Sequence, residues 1–170
     1  MNTRPFSKRP EDYFLTFHTY GTWLPGDARG WHRRGDGAAH RPPAPALERW
    51  CRNQMKAAPL YLSVHQRETV RDAILKTCAH RGYTVHALTV QRTHVHIVLT
   101  AAVEPDRAVA DLKRWATRAL REGGLSADQP VWADHGSTRY VYDPDGRAGS
   151  SHYVTDDHHR QPHARSRGKP

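Results

Sequence analysis

Apolar and polar positions change period several times along the chain, and each change marks an element. Residues 13–23, YFLTFHTYGTW, mix aromatics and threonines in rough alternation, which predicts a strand running into a loop. From Leu24 to about Pro59 no clear period survives among Gly, Pro, Arg and Ala, so this stretch reads as a functional loop or disorder, with a short helix over Leu47–Met55. Ser63 and Gln66 have the spacing of a capping box, and Val70, Ala73, Ile74, Thr77 and Cys78 fall on one face of a helix that stops near Gly82. Two strand-like runs follow, Tyr83–Gln91 and His94–Ala101, joined through Arg92 and Thr93 in a tight hairpin without a glycine. A second helix is expected from Glu104 to Glu122, with Ala108, Leu112, Trp115, Ala116 and Ala119 as its core stripe. Thr138–Tyr142 reads as a short fourth strand and Ser150–His159 as a third helix, although Gly146, Gly149, Ser150 and Ser151 are poor helix formers.

Strand, helix, hairpin, helix, strand is the order of an α+β fold with helices packed on one face of an antiparallel sheet. The folded domain is expected over residues 13–159, with 24–59 as a long basic loop insertion. An N-terminal arm (1–12) precedes it, and a basic, disordered tail (160–170) follows.

Composition narrows the function. At 170 residues and 37% hydrophobic content, the chain suits one domain with a modest core. No apolar run approaches the roughly 20 residues that cross a bilayer, and MNTRPFSKRPED lacks the apolar stretch of a secretory signal. A cytoplasmic protein without a membrane partner is expected. Cys51 and Cys78 are too few for a disulfide framework and lack CxxC spacing, which argues against a structural zinc site. The 26 Lys+Arg against 17 Asp+Glu give a net charge of +9 and point to a polyanionic partner, because clustered cations release counterions on meeting phosphates. Nucleic acid is favoured over acidic lipid, since no basic amphipathic helix with bulky anchors stands at a terminus.

The second helix adds detail to the charge. Arg107, Arg114, Arg118 and Arg121 recur at offsets of 7, 4 and 3, so they share a face that is either a phosphate track or a solvated surface. In the long loop, Arg29, Arg33, Arg34 and Arg41 accompany Trp23 and Trp31, a mixture of cations and aromatics suited to unpaired bases.

The segment Thr93-His94-Val95-His96-Ile97-Val98-Leu99 carries the chemistry. On a strand, His94 and His96 point the same way while Val95, Ile97 and Leu99 pack the other face. Two imidazoles so placed can share one divalent ion, or they can simply pack and hydrogen-bond. The spacing alone admits both.

This segment resembles the His-hydrophobic-His motif of the HUH single-strand DNA transposases, specifically the small single-tyrosine type and its REP-associated relatives. The likeness extends to FHTYGTWLPGDARGW (Phe17 to Trp31), LKRWATRALRE (Leu112 to Glu122) and VWADHGSTRYVYD (Val131 to Asp143), in the family's order. It implies a ferredoxin-like sheet, Mg²⁺ or Mn²⁺ at His94 and His96, and cleavage and rejoining of single-stranded DNA through a 5′-phosphotyrosine. DNA with hairpin structure and a homodimer are further implications. The tyrosine implied is Tyr153, on the last helix, with Tyr140 and Tyr142 as competitors. In the family a polar residue one turn after the tyrosine completes the metal shell; here it is Asp157, a competent hard-metal ligand or a member of a solvated acidic pair with Asp156. A phenol with an ordinary pKa of about 10 is a poor nucleophile at neutral pH, which gives a metal its purpose beside it. Thr93 stands where the family commonly has Asn or an acid, and a noncatalytic, domesticated single-strand-binding module is the alternative function.

Overall fold

The computed structural model describes residues 11–32, 40–142 and 144–155. Most of the expected N-terminal arm, Arg33 and Arg34 of the loop, Asp157 and the basic tail lie outside the described residues.

The elements are β1 (Glu11–Thr19), α1 (Pro45–Asn53), α2 (Val64–Arg81), β2 (Thr84–Val90), β3 (His94–Ala101), α3 (Pro105–Glu122), β4 (Trp132–Val141) and α4 (Pro144–Thr155). The strands form one antiparallel sheet in the order β2-β3-β1-β4. Thus β1–α2–β2 and β3–α3–β4 are two interleaved split βαβ units, the connectivity of a ferredoxin-like α+β fold.

Alternation in the two central strands separates the faces. Leu15 and Phe17 of β1 and Val95, Ile97 and Leu99 of β3 are fully buried, and they pack with Val70 and Ile74 of α2 and Leu112, Ala116 and Leu120 of α3. Both helices therefore cover one face of the sheet, as the sequence predicts. The opposite face carries Phe14, Thr16 and His18 from β1 and His94, His96 and Val98 from β3. Helix α4 lies there, where Val154 is buried against Ala87 and Val98 beside Phe14.

Local signals set the boundaries. Ser63 and Gln66 form the expected capping box of α2, and Gly82 ends that helix with a left-handed φ of 70°. Three expectations are corrected. Trp115 does not join the core stripe of α3: it is 37% exposed beneath Arg118, and the buried row is Ala108, Leu112, Ala116 and Leu120. The indole of Trp132 fills the nearby space instead, donating to the Lys113 carbonyl at 3.1 Å and meeting Phe17 edge-on at 5.1 Å. The fourth strand also begins earlier than Thr138, at Trp132, and the last helix opens at Pro144 rather than Ser150. No described helix is long and apolar enough to cross a membrane.

Candidate active site

The hairpin before His94 is tied to the neighbouring strand. The Thr93 carbonyl accepts from the Thr19 amide at 2.8 Å, the Thr19 hydroxyl at 3.1 Å and the Thr22 hydroxyl at 3.2 Å. This fixes where β3 starts and hence which residues face α4. Cross-strand pairing sets Thr16 opposite His96 and His18 opposite His94. The Thr16 hydroxyl lies 2.7 Å from His96 Nδ1, and the Thr93 hydroxyl lies 3.0 Å from His94 Nδ1. The two ring centroids are 4.6 Å apart, with the planes at 70°. The expected presentation of both imidazoles on one face is what the fold produces.

Helix α4 brings Tyr153 to this pair. Its ring is 6.1 Å from that of His96 and 6.1 Å from that of Phe14, and the side chain is 43% exposed. Tyr140 and Tyr142 lie elsewhere. Tyr140 is opposite Tyr13 on the helix-covered face, touches that ring at 5.2 Å, donates to Glu104 at 3.3 Å, and stacks against Tyr142.

A third histidine joins the two expected from sequence. His18 stands 5.4 Å from His94, and burial first, then the charges of His94, Arg29 and Lys113, lower its pKa to about 4. It is therefore neutral at pH 7. A strip of rings leads outward from it: His18 to Trp23 at 4.6 Å, Trp23 to His32 at 6.5 Å, and His32 to His40 at 5.0 Å. Arg29 lies 5.3 Å over Trp23, closed onto Asp27 at 2.7 Å. Its hydrogen bond holds the Asp27 carboxyl below the usual range. The indoles of Trp23 and Trp31 donate to the Gly30 and Pro42 carbonyls at 2.8 and 3.0 Å, so both tryptophans brace the loop. Gly30 has a φ of 88°, and a side chain there would collide with His40.

A second polar group anchors the start of α4. Arg147 reaches Asp12 at 3.0 Å, and Asp12 also accepts from Thr100, whose hydroxyl contacts His86.

The α3 arginines are on the other side of the sheet. Arg114 and Arg107 approach the buried Asp111 carboxylate at 2.8 and 3.5 Å, joined by Arg81 at 3.4 Å. Burial pushes the Asp111 carboxyl up, but the hydrogen bond from Arg114 and the charges of Arg81 and Arg107 hold it below its ordinary range. Arg118 pairs with Glu122 at 2.8 Å, and Arg121 donates to the Gln129 carbonyl at 2.7 Å. The row is partly neutralised by its own acids, and Arg121 is turned onto the Gln129 carbonyl. Cys78 is buried, which raises its thiol pKa to about 11 and keeps it protonated at neutral pH.

No protein-family model and no curated protein matches the chain. Among solved structures, a REP-associated tyrosine transposase bound to a REP hairpin aligns over 91% of this chain and 69% of its own, with a TM-score of 0.53 and 15% identity. The chain shares the fold of that solved structure. A second structure with this fold, described as a "putative transposase" from Deinococcus radiodurans, aligns over 91% of this chain and 95% of its own. Its TM-score is 0.51 and its identity 15%.

Proposed function

We propose that this protein is a metal-dependent single-tyrosine transposase that cleaves and rejoins single-stranded DNA at sites that include a hairpin. The observation that carries this reading is the position of Tyr153, whose ring stands 6.1 Å from His96 on the sheet face that also presents His94. At 43% exposure the Tyr153 side chain is accessible to an incoming strand beside the paired imidazoles.

His94 and His96 would hold the ion, each through Nε2, since Nδ1 of each already faces a hydroxyl. Among the described residues no group of three His, Cys, Asp or Glu side chains converges to hold a metal. The pair is therefore an open half-site, suited to Mg²⁺ or Mn²⁺ with oxygen ligands from water, a DNA phosphate and Asp157. Such an ion, when bound, offsets phosphate charge and makes phosphorus more electrophilic. In the cleavage step the Tyr153 Oη–phosphorus bond forms as the bond from phosphorus to the 3′-oxygen breaks. The phenolic proton passes to solvent and the 3′-oxygen takes one up, leaving a 3′-hydroxyl strand and a 5′-phosphotyrosine. Attack by another 3′-hydroxyl reverses the step and rejoins DNA without ATP.

The test incubates the protein with labelled single-stranded hairpin fragments from its own genomic flanks in Mn²⁺ or Mg²⁺. A denaturation-resistant adduct is expected with the wild type and is expected to be lost in both Tyr153→Phe and His94→Ala. An adduct that survives Tyr153→Phe overturns the nucleophile assignment. Tight binding with no adduct favours a noncatalytic single-strand-binding module.

A further inference from the structure

Of the arginines on or beside the histidine face, Arg29 and Arg147 are engaged. Arg29 is closed onto Asp27 at 2.7 Å and donates to the Thr22 carbonyl at 2.9 Å. Arg147 is held by Asp12 at 3.0 Å. Arg139 of β4 is exposed and forms neither a hydrogen bond nor an ion pair with any described residue.

Strand register fixes where Arg139 points. β4 pairs with β1 so that Tyr140 is opposite Tyr13, and their rings touch on the helix-covered face. One residue earlier, Arg139 is opposite Phe14 and so projects from the other face, the one that carries the histidines. Phe14 is the centre of the site: its ring lies 5.5 Å from His96 and 6.1 Å from Tyr153. Directly opposed residues of an antiparallel pair hold their Cβ atoms about 4.5–5.5 Å apart. Arg139 therefore flanks Phe14 on the β4 side as Val98 does on the β3 side, and His96 stands at the next same-face position, opposite Thr16. Two strand spacings of about 4.8 Å across β1 and a two-residue offset of about 7 Å along the strands put Arg139 and His96 about 12 Å apart, a span that a phosphate group and an extended arginine side chain can fill together.

We propose that Arg139 binds the nonbridging oxygens of the scissile phosphate, on the side opposite His94 and His96. This rests on the transposase reading above. As Tyr153 attacks, negative charge builds on those oxygens, and a guanidinium that meets them there favours the transition state over the resting phosphodiester. Arginine suits the position because its fork matches two oxygens and its charge is permanent. The residue across the strand pair is Phe14, which offers that charge no carboxylate, and Asp12, the next same-face position of β1, is taken by Arg147 and Thr100, so among the described residues Arg139 has no ion-pair partner.

The experiment measures adduct formation by wild type, Arg139→Ala and Arg139→Lys on two hairpin substrates. One has the natural phosphodiester at the cleaved position, and the other a neutral methylphosphonate. On the phosphodiester, Arg139→Ala is expected to slow adduct formation by about 100- to 1,000-fold, the scale of losing one oxyanion donor. Arg139→Lys should recover only part of this, because a point charge cannot grip two oxygens. On the methylphosphonate the gap between wild type and Arg139→Ala should shrink to less than about 10-fold, since the charge Arg139 meets is gone. Wild-type rates in Arg139→Ala, or equal losses on both substrates, overturn the proposal; equal losses mark a residue that merely supports β4. If wild type makes no adduct, binding separates the two readings. Removing a phosphate contact lowers the salt slope of single-strand binding by about 0.7, and an unchanged slope in Arg139→Ala refutes the contact.

Discussion

Two hydroxyls set the aim of the paired imidazoles. Thr16 and Thr93 lie 2.7 and 3.0 Å from the δ nitrogens of His96 and His94, so each ring is oriented from behind. Thr16→Val removes one hydroxyl at nearly constant shape, and Mn²⁺ affinity is expected to fall about 10- to 100-fold, as losses behind a ligand do. Calorimetric titration checks this; unchanged affinity would mean that His96 keeps its orientation without Thr16. The two histidines were legible because i and i+2 on a strand share a face. His18 was not, although it stands in the Phe17–Trp31 stretch. It becomes their neighbour only through the pairing of β1 with β3, and its low pKa comes from burial among residues distant in sequence. Arg139 escaped for the same reason, since its partner Phe14 lies 125 residues away in the chain (139 − 14).

The weakest element carries the proposed nucleophile. Gly146, Gly149, Ser150 and Ser151 give α4 little helical preference, which is why the sequence placed its start too late. What holds it is tertiary: burial of Val154, contributing about 1.5–3 kcal/mol, and the half-exposed Arg147–Asp12 pair, contributing about 0.2–1 kcal/mol. Gly149→Ala should stabilise the helix by up to about 1 kcal/mol, because a Cβ there meets nothing within 4 Å. The measurement is hydrogen exchange across α4, where protection should rise; lowered protection would mean that the glycine is needed. By contrast α2, with its capping box and left-handed glycine end, was readable almost to the residue. The early start of β4 was hidden by its polar sequence: Gly136 lies so close to the β1 backbone that a Cβ would come 2.6 Å from the Thr16 carbonyl oxygen.

At the scale of the whole molecule the sheet is a partition. Tyr153, His94, His96 and the ring strip lie on one side, while the α3 arginines and the cluster around Asp111 lie on the other. On the proposed function, a short single strand over the histidine face would not reach the arginine face, whereas a longer substrate with a hairpin stem would wrap to it. Arg118→Glu, at a position whose side chain is 64% exposed, should therefore leave binding of a short unstructured oligonucleotide unchanged. Binding of a longer hairpin should weaken, with a reduced salt slope, as measured by fluorescence anisotropy. Equal weakening of both would place short strands on the helix side as well. The arginine row was visible in the spacing of Arg107, Arg114, Arg118 and Arg121. Its neutralisation follows from the same spacing, since Asp111 falls at i+4 from Arg107 and i−3 from Arg114.

The asymmetry of the two faces has a consequence for how the protein fails. The large core beneath α2 and α3 sets the free energy of global unfolding, while α4 rests on a small cluster around Val154 and opens at lower cost. Heat or a mild denaturant will detach Tyr153 before the sheet loses cooperativity. On the proposed mechanism inactivation then precedes melting, and a preparation with an intact circular dichroism spectrum is already chemically silent.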